Sequence, residues 1–338
     1  MSFWRKLAAK KRPFLVLAPM EDVTDVVFRQ VIEEIAPPDV FFTEFSNVEA
    51  ILHNAPSDPP LKLRGGRKGE LLNNPALYRL LLSKTKVPTV AQIWGTNPES
   101  FYKVAKIISD GTCLPAGRFS GIDINMGCPQ RPEMKIGGCA ALIDNPNLAS
   151  EIIDATKRGT KLPVSVKTRI GTKKIVTEEW IGFLLSQKVD ALTIHGRTAK
   201  EMSKVSAHWD EIKRCIEIRN EKVVDTVIIG NGDVRNSQDA ILKSQEFGVD
   251  GVMIGRGVFE NPCCFSAKGQ VLSAKQKLDL LKRHVQLWNE TWGGKKNFAV
   301  LKKYFKIYIR DFEGASDLRA KFMDTKNISE LKNLCTNI

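Results

Sequence analysis

Between residues 14 and 254 the chain repeats one pattern eight times. A short run of β-branched and aliphatic residues is followed by a stretch that reads as helix or loop. The runs are Phe14–Ala18, Asp39–Phe45, Thr89–Trp94, Gly121–Met126, Val164–Arg169, Ala191–His195, Thr226–Gly230 and Gly251–Ile254. The helical segments between them read as Asp25–Ala36 (with Thr24 as its cap), Pro75–Lys84, Asn97–Ser109, Pro146–Arg158, Thr177–Lys188, Trp209–Arg219 and Ser237–Phe247. Near-continuous apolar strands suit a parallel sheet buried on both faces. Eight strand-then-helix units over about 250 residues fit an α/β fold of TIM (β/α)8 barrel type. A doubly wound open sheet is the alternative, but its glycine fingerprint after the first strand is missing.

After Ala274 the strand pattern stops. Lys275–Thr291, Phe298–Phe312 and Ile328–Leu334 read as helices. The expected organisation is a barrel over residues 1–262 and a small all-helical C-terminal domain over 263–338. Residues 261–338 hold 15 Lys/Arg against 7 Asp/Glu, so this last quarter carries most of the net charge of +13. Lys302, Lys303, Lys306 and Arg310 lie among Phe298, Leu301, Phe305, Ile309 and Phe312. Such a basic amphipathic segment fits a polyanionic partner or a plainly solvated helix face. No apolar run nears the ~20 residues that span a bilayer. The basic start, Met1–Arg12, leads directly into a strand without a small-residue cleavage site, so it does not read as a signal peptide. Seven scattered cysteines lack metal spacing and suggest reduced thiols, a cytoplasmic home and no metal.

In a TIM barrel the chemistry gathers at the C-terminal strand ends. Here those ends carry Pro19-Met20-Glu21, Glu44, Gln92, Asn125 with Cys128, Lys167 with Arg169, His195 with Arg197, Asn231-Gly232-Asp233 and Gly255-Arg256. Glycine turns after the last two strands, with an arginine fork, suit a phosphate group or serve only the chain path. Lys167 ends an apolar strand and needs an anionic or polar partner, unless it snorkels. Gln92 can pair with a heterocycle edge. Cys128 is held between Gly127 and Pro129 on a stiffened turn, as a reactive thiol or a small buried hydrophobe. Cys139, in a glycine-flanked turn, reads as packing, and its loss is expected to leave activity intact.

These stretches are APMEDVTD (18–25), AQIWG (91–95), DINMGCP (123–129), VKTR (166–169), TIHGRT (193–198), IGNGD (229–233) and MIGRG (253–257). In order and spacing they resemble the flavin-dependent tRNA-dihydrouridine synthases. The tail LKKYFKIYIRDFEGASDLR (301–319) resembles that family's helical tRNA-binding domain. The resemblance implies FMN in the barrel mouth, with Pro19, Met20 and Glu21 along the flavin. Gln92 and Lys167 would meet the ring edge, His195 would sit beside it, and Asn231, Gly232, Asp233, Gly255 and Arg256 would hold the phosphate. NADPH would be the reductant. Hydride would go to C6 of a uracil and the Cys128 proton to C5. Asn125, Arg169 and Arg197 would help hold the target base or its backbone, and the four basic tail residues would contact tRNA. A monomer is expected.

Two stretches depart from the family pattern. Glu21-Asp22 replaces a small Ala-Gly pair, and QRPEMKIGGCAAL follows the cysteine in place of the usual lysine-containing segment, which leaves Lys135 without an inherited role. The loop Gly111–Arg118 is longer than is typical. Two other functions share parts of the pattern: another FMN barrel acting on a small molecule, such as a dihydroorotate dehydrogenase or an ene-reductase, and a non-enzymatic RNA-binding barrel. The first has no use for the basic tail, and the second none for the phosphate turns.

Overall fold

The computed structural model describes residues 2–10, 12–53, 75–83, 85–110 and 118–337. The polar stretch with prolines 56, 59 and 60, most of the Gly111–Arg118 loop and Lys84 lie outside the described residues. The strands are β1 (Phe14–Leu17), β2 (Val40–Phe42), β3 (Ser46–Asn47), β4 (Thr89–Trp94), β5 (Gly121–Met126), β6 (Val164–Arg169), β7 (Ala191–His195), β8 (Val227–Asn231) and β9 (Gly251–Ile254). All pair in parallel, and the β1–β9 and β2–β4 pairings close the sheet into a barrel. The short β3 continues the path of β2 along β4. Phe42 faces Val90 but Ser46 faces Ile93, so the segment Thr43–Phe45 holds one residue more than its partner. That bulge turns the expected second strand into two.

The barrel follows from a period of two along each strand. Leu15, Leu17, Phe41, Ile93, Ile122, Ile124, Val166, Leu192, Ile194, Ile228, Val252 and Ile254 belong to the apolar layer shared with the surrounding helices. The alternate residues Phe14, Val16, Val40, Phe42, Val90, Ala191, Val227, Ile229 and Met253 form a second cluster. Trp4, from a helix at Phe3–Ala8, closes that cluster, with its ring 6.0 Å from Phe14 and 6.2 Å from Phe42. The expected direct run from the N-terminus into β1 is therefore corrected to a short plugging helix. Its six residues are too few to show a helical period. Gly251 is where Phe14 needs room, because a Cβ there would stand 2.5 Å from the Phe14 ring.

Several helices of the barrel and the tail start on a side-chain cap. Asn145, Asn236, Ser273, Asn297 and Asn327 each accept from a first-turn N–H. The cap of the helix Val26–Ile35 is Asp25, not the expected Thr24. Thr24 instead closes its own loop, accepting from Met20 N at 2.9 Å.

Beyond the barrel come Ala274–Trp292, Phe298–Lys302, Phe305–Tyr308, Ala315–Asp324 and Ile328–Thr336. The single helix expected over Phe298–Phe312 is two short ones. Leu301, Tyr304, Phe305, Ile307, Tyr308 and Ile309 are all buried, a wider apolar face than one stripe, while Lys303 and Lys306 stay exposed. Tyr304 is drawn toward the barrel, where its hydroxyl donates to Val23 O at 2.7 Å and its ring stacks 5.3 Å from Phe28. Ala315–Asp324 was not expected as a helix. Only its Ala315 and Phe322 are buried, too few to print a period.

The tail is pinned to the barrel by a buried charge. Lys296 Nζ lies 2.8 Å from Asp25 Oδ2 and 4.0 Å from Glu44 Oε2, with all three side chains at most 2% exposed. The rings of Tyr78, Trp288 and Trp292 surround the ammonium at 5.1–5.7 Å. Burial alone would lower the Lys296 pKa, but Asp25 and Glu44 hold it above its ordinary value. Burial pushes Glu44 up to about 7. Removing one partner of a buried pair leaves the other charge stranded. Lys296→Met should cost about 3–5 kcal/mol of stability in denaturant unfolding. A loss below about 1 kcal/mol, the range of exposed pairs, would show that the pin is not needed.

Candidate active site

The register of the sheet stacks the inward polar residues in rows above the apolar plug. Gln92 faces Asp123, and Asp123 faces Ser165. One row higher, Asn125 faces Lys167, and Lys167 faces Thr193. Highest are Arg169, His195, Asn231 and Met253. A cavity of about 770 Å³ opens above them at the C-terminal strand ends.

The lowest row is a hydrogen-bond chain. Ser165 Oγ donates to Asp123 Oδ1 at 2.6 Å, and Gln92 Nε2 donates to Asp123 Oδ2 at 2.8 Å. Asn125 Nδ2 donates to Gln92 Oε1 at 3.1 Å. Asn125 Oδ1 then accepts from Gly127 N at 3.0 Å and Cys128 N at 2.9 Å. Each amide orientation follows from the one below it, because a carboxylate can only accept. Burial pushes the Asp123 carboxyl up to about 6, with the Ser165 and Gln92 hydrogen bonds opposing. The expected contact of Gln92 with a ligand edge is corrected. Gln92 is fully buried, does not line the cavity, and spends its amide on orienting Asn125.

Lys167 lines the cavity, and its ammonium has no hydrogen-bond or ion-pair partner among the described residues. Burial, followed by Arg169, brings its pKa down to about 8. His195 is held neutral, well below its ordinary pKa, by burial and by Arg169, Lys167 and Arg197. Arg197 Nη1 lies 3.1 Å from His195 Nε2. Arginine can only donate, so Nε2 is the acceptor and the ring proton sits on Nδ1. Arg197 also donates to Val205 O at 2.7 Å and to Asp233. Arg169 donates to Gly127 O at 2.8 Å and Thr198 O at 3.1 Å, tying the β5 loop to the β7 loop. Both arginines line the cavity with most of their donors already committed.

Asn231, Gly232, Asp233, Gly255 and Arg256 also line it. The Asp233 carboxylate accepts from Arg197, from Ala207 N at 2.9 Å and from Arg256 Nη2 at 2.9 Å. Its side chain therefore orients two arginines, while Gly232 (φ 130°) and Asp233 (φ 49°) are both left-handed. A Cβ at Gly232 would lie 2.6 Å from Ala207 Cβ and 3.3 Å from the His195 ring. Pro19 and Met20 lie in the wall, whereas Glu21 stands outside it, paired to Arg79 at 2.6 Å. An uncommitted lysine, a neutral histidine, an arginine fork and left-handed backbone suit a flat, anionic ligand with a phosphate tail.

Cys128 borders the same cavity. The Cys139 thiol lowers its pKa, while burial opposes. Cys128 and burial in turn raise the Cys139 pKa. Cys139 is fully buried, as the packing reading expects, although it belongs to neither apolar cluster.

The four basic tail residues do not share one free face. Lys302 donates to Met323 O at 2.5 Å and Lys303 pairs with Asp22 at 3.1 Å. Lys306 lies 5.2 Å over the Phe259 ring, and Arg310 donates to Phe259 O at 3.1 Å. These two line an open cleft of about 690 Å³ with Arg319, which the sequence reading passed over because its helix carries no clear period. Phe45, Met202, Ser203, Arg235 and Lys243 of the main cavity were missed as well, since they stand on a bulge, in loops and on a helix flank. Among the described residues no His, Cys, Asp or Glu group is arranged to hold a metal ion, and no helix is long and apolar enough to cross a membrane.

A cavity of this kind over a closed parallel barrel marks a barrel enzyme. Residues 16–338 match the model of the dihydrouridine synthase family. A probable tRNA-dihydrouridine synthase of Staphylococcus aureus (strain COL) is 42% identical over 335 residues, covering 98% of this chain and 94% of its own. A probable tRNA-dihydrouridine synthase 2 of Bacillus subtilis (strain 168) is 43% identical, covering 98% and 95%. The chain belongs to the dihydrouridine synthase family. Among solved structures, morphinone reductase shares the barrel fold, with a TM-score of 0.52 at 9% identity over 79% of this chain and 89% of that one.

Gln92→Leu should leave Asp123 Oδ2 and Asn125 Nδ2 without partners, costing about 1–3 kcal/mol per buried group. Denaturant unfolding reads that loss, and faster exchange of the Gly127 and Cys128 amides reads the loosened turn. Unchanged exchange at both amides would mean that the chain from Asp123 does not hold the turn.

Proposed function

We propose that this protein reduces the C5–C6 double bond of uracil in tRNA to 5,6-dihydrouridine. The observation that carries the reading is one thiol, Cys128, at the edge of a cavity that is also lined by Lys167, Arg169, His195, Arg197 and Arg256. Bound FMN, reduced by NADPH, would supply the hydride to C6, chemistry that no side chain provides. Lys167 would meet the electron-rich ring edge with its uncommitted ammonium, and His195 would lie beside it. Asn231, Gly232, Asp233, Gly255 and Arg256 would hold the phosphate, Asp233 and Gly232 through backbone N–H groups. Cys128 would deliver the proton to C5, so that the ring gains one hydride and one proton and the thiol leaves as thiolate. Arg169 and Arg197 keep the walls in place, and Asn125 holds the turn under the thiol. The target base must leave its stack to reach this depth.

The barrel is proposed to span residues 1–262 and the helical unit 263–338, although Cys263, Cys264 and Phe265 still pack into the layer shared with the barrel. We place the protein in the cytoplasm as a monomer. The tRNA backbone would cross the cleft of Lys306, Arg310 and Arg319. Neutralising Lys306 and Arg319 together should lower the slope of log affinity against log salt by about 0.7–0.9 per lost phosphate contact. An unchanged slope would assign both charges to solvent.

Cys128→Ala separates the half-reactions. The variant should bind FMN and let NADPH bleach it, while reoxidation by unmodified tRNA slows about 10²–10⁴-fold. Reoxidation at the parental rate would remove Cys128 from the acid role. A parent protein that carries flavin but leaves tRNA uridines unreduced, by nucleoside analysis, would overturn the function itself.

A further inference from the structure

Cys139 is fully buried without joining either apolar cluster, whereas Cys215, Cys263, Cys264 and Cys335 all belong to one. Its φ is 52°, a left-handed conformation that a non-glycine residue holds only when its surroundings impose it. Two glycines precede it, either of which would take such a φ freely. The next residue binds back to the reactive turn, Ala140 N donating to Cys128 O at 3.2 Å. The segment is therefore folded back onto the reactive turn, with the positive φ on the residue that carries the second sulfur.

We propose that Cys139 is a positioning residue for the proton donor, its S–H hydrogen-bonding to Cys128 Sγ and steadying the negative sulfur left after proton transfer. This rests on the reading of Cys128 as the acid. The proton that reaches C5 is the Cys128 proton. Cys139 keeps its own, because burial and the neighbouring sulfur both disfavour its ionisation. The charged groups acting on Cys128 are otherwise Glu133 and Glu21, which oppose the thiolate, and Lys167 and Arg169, which favour it. The Cys139 contact is the largest influence on its acidity.

The test uses Cys139→Gly, which removes the thiol and fits the left-handed backbone without strain, and Cys139→Ser, which keeps a donor. In the flavin-loaded protein, alkylation of Cys128 by iodoacetamide is followed against pH by mass spectrometry of the Cys128 peptide. Cys139→Gly should move the inflection to higher pH, and Cys139→Ser should move it back toward the parent. Reoxidation by tRNA should slow roughly two- to tenfold in the glycine variant, the worth of one ordinary hydrogen bond, with flavin content unchanged. An alkylation profile in Cys139→Gly that overlays the parent overturns the proposal while leaving the acid role of Cys128 intact. Parental reoxidation by Cys128→Ala would instead remove the reading on which it rests. A glycine variant that loses flavin is replaced by Cys139→Ala and judged on the same alkylation curve.

Discussion

A carboxyl group at the centre of a closed barrel has no water to turn to, and Asp123 makes the rest of the active-site floor depend on that fact. Its two oxygens accept from Ser165 and Gln92. Because a carboxylate cannot donate, the Gln92 amide must present nitrogen downward and oxygen upward. Asn125 must then turn its nitrogen to Gln92, which leaves its oxygen for the N–H groups of Gly127 and Cys128. A thiol in the proposed acid role must be held about 3–3.5 Å from the atom it protonates. Here that placement is inherited, through Gln92 and Asn125, from a buried acid in the lowest row.

The same logic recurs where the tail meets the barrel. Lys296 enters a pocket that already holds Asp25, Glu44 and Arg29, the last donating to Thr24 O at 2.6 Å and Leu81 O at 2.5 Å. Asp25 caps a barrel helix with one oxygen and takes the lysine with the other. Glu44 stands in the bulge between β2 and β3 and accepts from Asp22 N at 2.6 Å. The loop that carries Met20 along the cavity wall is therefore tied to the tail as well as to the barrel. A buried pair of this sort is poor evidence of net stability but fixes geometry well, since no other arrangement satisfies both charges. The cleft of Lys306, Arg310 and Arg319 is thereby held against the barrel mouth.

Much of this was legible in the sequence. All eight barrel strands fall within a residue or two of their expected spans, except that the bulge shortens and divides the second, because parallel strands buried on both faces are dense in β-branched residues. Pro19, Met20, Asn125, Cys128, Lys167, Arg169, His195, Arg197, Asn231, Gly232, Asp233, Gly255 and Arg256 all reach the cavity, since strand-end position in a barrel is itself a spatial coordinate. Failures came where that coordinate stops applying. Gln92 lies one row too deep, a difference that only the register between strands can reveal. Lys302 and Lys303 have the composition of a free basic face, yet the helix breaks after Lys302 and both ammonium groups find internal acceptors. Cys139 has the surroundings of a turn, and Ala140 after it binds back to Cys128 O through a fold in the segment that local sequence does not announce.

Asp233 shows why residue type alone misleads at such a site. An acid is a poor side chain to offer a phosphate, and a reading by charge would exclude it. The structure separates its two functions. The carboxylate points to Arg197 and Arg256, which hold its pKa low against the effect of burial. The backbone turns at the same place, with positive φ at both Gly232 and Asp233. Without the carboxylate, Arg197 and Arg256 would face each other across the cavity mouth with their repulsion unrelieved. With it, Arg256 remains 60% exposed at the rim while Arg197 is almost fully buried against His195. One acid therefore lets two cations share a wall, and it does so from the turn proposed to hold the phosphate.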